Sequence, residues 1–220
     1  MPSHKTITVQ NQTWELLPEK AVYWRDTETL IIADLHLGKA GHFRKEGIAA
    51  PGDINRRNLD RLTELLNRWQ PVSLLILGDL FHSSANREWF EFEDWRLKYR
   101  SVMIRLVNGN HDVLHHTFYQ TAAIDTFPEM VSSGFCFRHD PQLPHNREDK
   151  DVITVAGHLH PGITIRGKGR QALRLPCFHF TDKQILLPAF GEFTGLHRIR
   201  PDETDRVFAV VDDRVIEINL

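Results

Sequence analysis

The chain has 220 residues, of which 41% are hydrophobic and 25% are charged, and its net charge is −2. These values are ordinary for a globular protein with a full core, and they exclude a disordered chain or one that binds nucleic acid through overall positive charge. We expect one domain over residues 1–220. Without an apolar leader or a membrane-spanning run, we expect a cytoplasmic protein with no membrane partner. Cys136 and Cys177 lack C-x-x-C spacing and are expected to be buried free thiols.

In the first half of the chain, apolar runs alternate with helical patterns. Residues 6–33 predict short β-structure that ends in a buried strand. Leucines at helical spacing then predict a helix up to Trp69, behind Asp53 as a candidate N-cap. The next predicted elements are a strand over 72–77, a helix over about 86–99 and a strand over 103–107.

Strands dominate the second half. Apolar runs predict strands over 133–137 and 152–156, and alternating residues between turns predict hairpins from Gly162 onward. The polar, proline-bearing stretch 140–151 is expected to be an exposed loop. This order of elements predicts an α/β sandwich with two sheets.

Five short motifs with histidine or aspartate follow the predicted strands. Each alone is weak evidence, since glycine and aspartate mark many strand ends and a lone histidine says little. The carboxyl ends of strands in open α/β sheets gather at one rim, where ligands bind. We therefore expect the motifs to meet in space. They are Asp34-Leu35-His36, Gly78-Asp79, Gly109-Asn110-His111-Asp112, His139 and Gly157-His158-Leu159-His160.

This set contains the donors that two neighbouring divalent metals need, which are a shared carboxylate, several imidazoles and an amide oxygen. Such donors admit manganese, iron and zinc. The nucleophile would be a hydroxide between the metals, because metals lower the pKa of bound water. A workable assignment places Asp34, His36 and His160 on the first metal, Asn110, His139 and His158 on the second, and Asp79 between both.

His111 is left without a metal in this assignment. It stands beside Asn110 and could act as a general acid on the leaving oxygen. Asp112 could orient the imidazole of His111 or tune its pKa. The sequence therefore supplies catalytic candidates as well as metal ligands.

Further side chains are candidates for substrate contact, each with a structural alternative. Lys39 and Arg44 could bind a substrate phosphate or lie on a solvated loop. His82 could touch the substrate, or it could be buried or bonded to the backbone. The aromatic residues between 89 and 95 could stack on bases, but their helical spacing favours core packing.

At these motifs the chain resembles the calcineurin-like metallophosphoesterase superfamily, whose pattern is D-x-H, G-D, G-N-H-[DE], a histidine and G-H-x-H. The similarity spans about residues 30–161. It implies a four-layer α/β/β/α sandwich of two mixed sheets flanked by helices. It also implies phosphoester hydrolysis at two metal ions, often manganese, iron or zinc, held in the roles assigned above.

Residues 34–40, Phe43-Arg44, Gly47, 173–178 and 187–195 carry a narrower similarity that covers nearly the whole chain. In these segments the chain resembles the bacterial ligase-associated DNA damage response endonuclease family. This resemblance implies a manganese-dependent phosphodiesterase that acts on nucleic-acid or nucleotide phosphodiesters near DNA-repair proteins. Leu196 departs from the glycine expected after Thr194-Gly195, which affects a loop rather than the chemistry.

Three functions stay open at this level. A phosphodiesterase or nuclease leads, because a general acid at His111 suits the alkoxide leaving group of a diester. A phosphomonoesterase acting on small molecules or phosphoproteins is the alternative, since such enzymes of this superfamily keep the histidine too. A non-catalytic binding scaffold would have lost ligands, whereas every expected ligand and acid position is filled in this chain.

Overall fold

The computed structural model describes residues 3–39, 51–82, 87–142, 152–167, 171–192 and 194–220. Its first half forms a seven-stranded sheet whose strands lie side by side in chain order. The strands from β1 to β4 pair antiparallel, and those from β4 to β7 pair in parallel. They are β1 (Lys5–Val9), β2 (Gln12–Leu17), β3 (Ala21–Trp24), β4 (Thr29–Ala33), β5 (Ser73–Leu77), β6 (Met103–Val107) and β7 (Ile124–Phe127), with a 3-10 turn at Arg25–Thr27.

Adjacent parallel strands need crossover connections, and these connections contain the helices. Helix α1 (Ile54–Trp69) lies between β4 and β5, α2 (Arg87–Lys98) between β5 and β6, and α3 (His116–Thr121) between β6 and β7. Asp53 occupies the N-cap position of α1 but makes no side-chain capping bond. Asp53 is therefore the N-cap residue, as predicted, while its carboxylate pairs with Arg57 at 3.0 Å.

Within the described ranges, the remaining nine strands build the second sheet, which is also mixed. Its order is β14-β11-β12-β13-β10-β9-β8, and β15 pairs with β12 and β16. The strands are β8 (Met130–Ser132), β9 (Phe135–Arg138), β10 (Ile153–Ala156), β11 (Pro161–Arg166), β12 (Ala172–Phe180), β13 (Gln184–Leu186), β14 (His197–Arg198), β15 (Arg206–Val211) and β16 (Arg214–Ile218).

Two apolar cores hold these layers together. Between the sheets, the rings of Trp14 and Trp24 lie 4.8 and 5.5 Å from the ring of Phe135. On the other face of the first sheet, Trp89 and Phe92 of α2 are fully buried among leucines. The aromatic residues of α2 therefore serve mainly the core, as their spacing favours.

The predicted sandwich of two mixed sheets with flanking helices is confirmed, but the helical layer on the second sheet that would complete a four-layer arrangement is not found among the described residues. Within the described ranges, the α-helices all pack against the first sheet, and a small cluster including Ile163 and Ile199 covers the outer face of the second. Both cysteines are buried free thiols, as predicted. No helix of the described part combines the length and the apolar character that crossing a bilayer requires. The single domain stays a prediction, and most of the predicted loop 140–151 lies outside the described residues.

Candidate metal centre

The motifs meet because five strand ends meet. Strands β4, β5 and β6 end in register at Ala33, Leu77 and Val107. In the second sheet, β9 and β10 end in register at Arg138 and Ala156. Each motif begins within two residues of one of these ends, so the predicted gathering of motifs at one rim is what the structure shows.

The backbone turns sharply at this rim. Several residues at this rim have left-handed φ angles of 47° to 65° although they are not glycines. Residues with a side chain adopt such angles uncommonly. Such angles cluster at functional sites, where surrounding structure maintains them. Five of the seven predicted metal ligands have them: Asp34, His36, Asp79, His158 and His160.

The first predicted ligand set is assembled in the structure. The Nε2 atoms of His36 and His160 lie 3.4 Å apart, and Nε2 of His160 lies 3.5 Å from Oδ1 of Asp34. Donor atoms from these three residues all lie within 4.8 Å of one another. One cation could therefore contact all three side chains.

The second predicted set converges on His139. Its Nε2 lies 2.9 Å from Oδ1 of Asn110 and 2.9 Å from Nδ1 of His158. Its Nδ1 faces the carbonyl oxygen of Leu77 at 3.1 Å and must donate there, because a carbonyl only accepts. In the tautomer that this bond requires, the lone pair on Nε2 points at Oδ1 of Asn110 and Nδ1 of His158, and a cation placed there would be contacted by all three atoms.

Two carboxylates connect the sets. Asp79 places Oδ2 at 3.8 Å from Nδ1 of His36 and Oδ1 at 3.5 Å from Nε2 of His139. Asp34 also belongs to both groups of convergent donors, with His36 and His160 on one side and with Asp79 and His139 on the other. The geometry thus offers Asp34 as a second connecting carboxylate beside Asp79, the one that the sequence assignment placed between the metals.

The glycines in these motifs are needed for close approach. A Cβ on Gly157 would lie 2.5 Å from Oδ2 of Asp34. The same oxygen accepts the backbone N–H of His158 at 2.9 Å. Any larger residue at position 157 would therefore separate the β10 turn from a predicted ligand.

The buried donors fit divalent metals. Oδ1 of Asp34 and Nδ1 of His36 are buried without a hydrogen-bond partner among the described residues, although burying an unsatisfied polar atom is unfavourable. Burial lowers the pKa of His36, with Lys39 and neighbouring histidines adding to the effect. Its imidazole therefore stays neutral, which is the form that binds metal.

His111 lies beside this set. Its backbone N–H donates to Oδ1 of Asp79 at 3.0 Å, and its ring packs 3.8 Å from the ring of His82. Burial lowers the pKa of His111, and the charge of Asp79 acts to raise it. His82 is thus placed against the predicted acid, which is compatible with contact to substrate but equally with a packing role.

Asp112 does not pair with the imidazole of His111 through its side chain. Its Oδ1 accepts the N–H groups of Leu80 and Phe81 at 2.9 and 3.2 Å, and its Oδ2 accepts that of Gly109 at 2.8 Å. Burial raises the pKa of Asp112 to about 6 despite these bonds, which act to lower it. Asp112 ties the loops after β5 and β6 together, so it does not orient the imidazole of His111 by direct contact and any influence on His111 acts through the backbone.

Of the two basic candidates, only Lys39 can be placed. Burial lowers the pKa of Lys39, and the negative charges of Asp34 and Asp79 act to raise it. The charge of Lys39 therefore interacts with the carboxylates of the metal centre, as expected of a residue that binds a phosphate there. Arg44 lies outside the described residues.

Two asparagines of α1 hold the loops around the site and were missed by the sequence reasoning. Oδ1 of Asn55 accepts the N–H of Gly38 at 3.2 Å, and Oδ1 of Asn58 accepts that of Glu192 at 3.1 Å. Both side chains are buried on the leucine-bearing face of the helix. Polar residues on an otherwise apolar face were the signal that could have found them.

Comparisons with known proteins identify the family of this chain. The calcineurin-like phosphoesterase family profile matches residues 27–192. The crystal structure of Pseudomonas putida nuclease MPE is 34% identical, covers 94% of this chain and 97% of its own, and has a TM-score of 0.80. Yfce, a phosphoesterase from E. coli, is 14% identical over 87% of this chain and 98% of its own, with a TM-score of 0.46.

A comparison with curated proteins gave no match. The likeness to the P. putida nuclease is consistent with the narrower similarity found in the sequence. The family profile extends over well more than half of the chain and includes all the motifs that converge at the rim. This chain therefore belongs to the calcineurin-like phosphoesterase family.

Proposed function

We propose that this protein is a two-metal phosphodiesterase, and specifically a nuclease that hydrolyses phosphodiester bonds in nucleic acid. One observation carries the proposal: two groups of convergent donors share a buried carboxylate, and a further imidazole lies alongside them. The 34% identity to a nuclease supports nucleic acid as the substrate class. Manganese as the metal and a place beside DNA-repair proteins are part of the proposal and rest on the sequence similarity alone.

In this proposal the ligand roles follow the two sets. Asp34, His36 and His160 would hold the first metal, and Asn110, His139 and His158 would hold the second. Asp79 lies between them, since each of its oxygens is turned to one set. Backbone carbonyls fix the imidazoles of two ligands: Nδ1 of His160 donates to Gly195 at 3.2 Å, as Nδ1 of His139 does to Leu77.

The chain's own groups complete the chemistry. Two bound divalent metals would supply a nucleophile from water near neutral pH and offset negative charge on the phosphate. His111 protonates the leaving oxygen, which otherwise departs as an unstable alkoxide. Lys39 adds positive charge beside the phosphate. Asp112 keeps the His111 loop in place through its backbone hydrogen bonds.

The first test compares a small diester with a small monoester on metal-stripped protein given manganese back. Bis-p-nitrophenyl phosphate should be hydrolysed in clear preference to p-nitrophenyl phosphate. Iron and zinc should be tried in parallel, since the ligand set admits them. Preference for the monoester would make the protein a phosphomonoesterase, and inactivity with every metal would contradict an enzymatic role.

A matched pair of variants tests the acid. His111→Ala should lower diester turnover by about a hundredfold or more, the usual contribution of general acid catalysis, while bound metal stays at the wild-type level. His115→Ala is the control, because His115 is an exposed histidine that contacts Thr117 and His116. Loss of metal in His111→Ala would show that His111 is a ligand instead.

A further inference from the structure

Three strands of the second sheet extend from the metal centre. Strand β11 begins at Pro161, directly after the ligand His160. Strand β12 pairs with it antiparallel and β14 pairs with it in parallel. The loop before β14 also reaches the centre, because the carbonyl of Gly195 accepts Nδ1–H of His160. This ribbon is therefore attached to the site at its base.

One face of the ribbon carries arginines. Arg174 is paired with Thr164 and Arg198 with Gly162, so both lie on the same face, and Arg166 follows Thr164 at the next alternate position. The intervening positions belong to the opposite face, where Ile163 and Ile199 pack in an apolar cluster. We call the exposed side chains of Arg166, Arg174 and Arg198 the arginine face.

The strands of the ribbon contain no acidic residue that could compensate the arginine face. Residues 161–181 and 194–201 contain six Lys or Arg and no Asp or Glu. Since the whole chain carries −2, the rest of it must carry −8. Elsewhere arginines pair with carboxylates, as Arg68 does with Glu19 at 2.6 Å. Among the described residues, Arg166 and Arg198 have no such partner.

The arginine face is turned to the side of the first sheet. Farther along β12, the same face buries Phe178 and Phe180 in the core between the sheets. At the foot of the ribbon, Pro176 lines a pocket of about 370 Å³ together with Lys20, Arg57 and Glu192, and Arg57 pairs with Glu192 at 2.8 Å. The six residues of β11 rise by about 20 Å in all, so the arginines extend well beyond the metal ligands.

We propose that the arginine face binds the phosphate backbone of a polynucleotide whose scissile bond lies at the metal centre. This inference rests on the proposed nuclease function and adds the surface that selects a polymer over a small diester. Guanidinium groups match phosphate oxygens in charge and geometry. Backbone phosphates repeat regularly, so a row of arginines binds them without reading the base sequence.

The test uses a pair of double variants with equal charge change. Arg166→Gln/Arg198→Gln removes two arginines from the face. Arg56→Gln/Arg87→Gln is the control, since these side chains are 78% and 91% exposed on α1 and α2. Binding of fluorescent single-stranded and duplex DNA, and of RNA, is measured by anisotropy in EDTA over a range of salt concentrations. Hydrolysis of bis-p-nitrophenyl phosphate is measured with manganese.

The face variant should bind polynucleotide more weakly than the control. The plot of log binding constant against log salt concentration should be less steep than for the control, by about 1.8 for duplex and about 1.4 for single strands. Between about 50 and 200 mM salt this difference amounts to about tenfold in affinity for duplex. Hydrolysis of the small diester should be unchanged. Equal binding by both double variants, or no binding by the wild type, would overturn the inference. A wild type that binds polynucleotide but hydrolyses no diester would instead overturn the proposed function.

Discussion

Replacing Gly78 by alanine should disrupt the second metal position without unfolding the protein. Gly78 has a φ of +74°, and a Cβ there would lie 2.1 Å from Nδ1 of His139. Gly134 offers a matched control, since its φ is +80° and its Cβ would meet no atom nearer than 3.8 Å. Each alanine would cost about 1–2 kcal/mol for the left-handed backbone. The difference between the variants therefore isolates the contact with His139.

The size of the effect follows from how far the ring must move. Restoring an ordinary contact of 3.4 Å from 2.1 Å requires the imidazole of His139 to retreat by about 1.3 Å. That ring is only 4% exposed and is in contact with Leu77, Asn110 and His158. A displacement of about 1 Å from the productive geometry can lower turnover by about a hundredfold.

The assay counts metal and turnover in the two variants. After equilibration with manganese and removal of the excess, Gly134→Ala should keep the wild-type metal content and diester turnover. Gly78→Ala should keep about half of the metal and lose about a hundredfold in turnover. Urea unfolding shows whether both variants fold. If Gly78→Ala matched Gly134→Ala in metal content and turnover, the place of His139 in the second set would be refuted.

Three further changes test separate parts of the structure. Asp79→Ala should strip most of the bound metal, because its oxygens face both sets, and two retained metals would contradict the bridging role. Asp112→Asn should lower the free energy of unfolding by about 1–3 kcal/mol in urea, because an amide nitrogen cannot accept a backbone N–H; an unchanged value would show that the loops do not depend on it. Lys20→Met should alter the pH dependence of stability, because burial lowers the pKa of Lys20 to about 7. Below pH 7 the amine of Lys20 is protonated in both the folded and the unfolded protein, and between pH 7 and about pH 10 it stays protonated only in the unfolded protein. The free energy of unfolding of the wild type should therefore rise with pH in this range, relative to that of the variant, by up to about 1.4 kcal/mol per pH unit. Parallel urea-unfolding profiles for the two proteins would contradict this.

The gathering of the ligands could be predicted from the sequence because it depends on short-range rules. Asp34 and Asp79 each follow an apolar run, and parallel strands covered by helices must end at a common rim. The motifs themselves then specify which side chains arrive there. The prediction that the ligands gather at one rim therefore required no contact between residues far apart in the chain to be known.

The roles that failed or were missed depend on such contacts. Asp112 is adjacent to His111 in the chain, which suggested direct pairing, yet the turn directs its carboxylate to N–H groups 31 and 32 residues away. Asn58 bonds to Glu192, which is 134 residues away in sequence. Pairing across the fold fixes both contacts, and no local pattern in a single sequence contains that information.

The left-handed backbone at the ligands shows why the site and the scaffold have to be considered together. Asp34, His36 and Asp79 have φ angles near 50°, and each such angle costs about 1–2 kcal/mol for a residue with a side chain. The turns persist because neighbouring loops bond to them, as in the N–H of His36 donating to the carbonyl of Asp79 at 2.8 Å. Residues that violate local preference and are held by their surroundings are expected where function requires a fixed geometry. Binding of divalent metals by these carboxylates and imidazoles would offset the strain, so the same contacts that shape the centre also link metal binding to the stability of the rim.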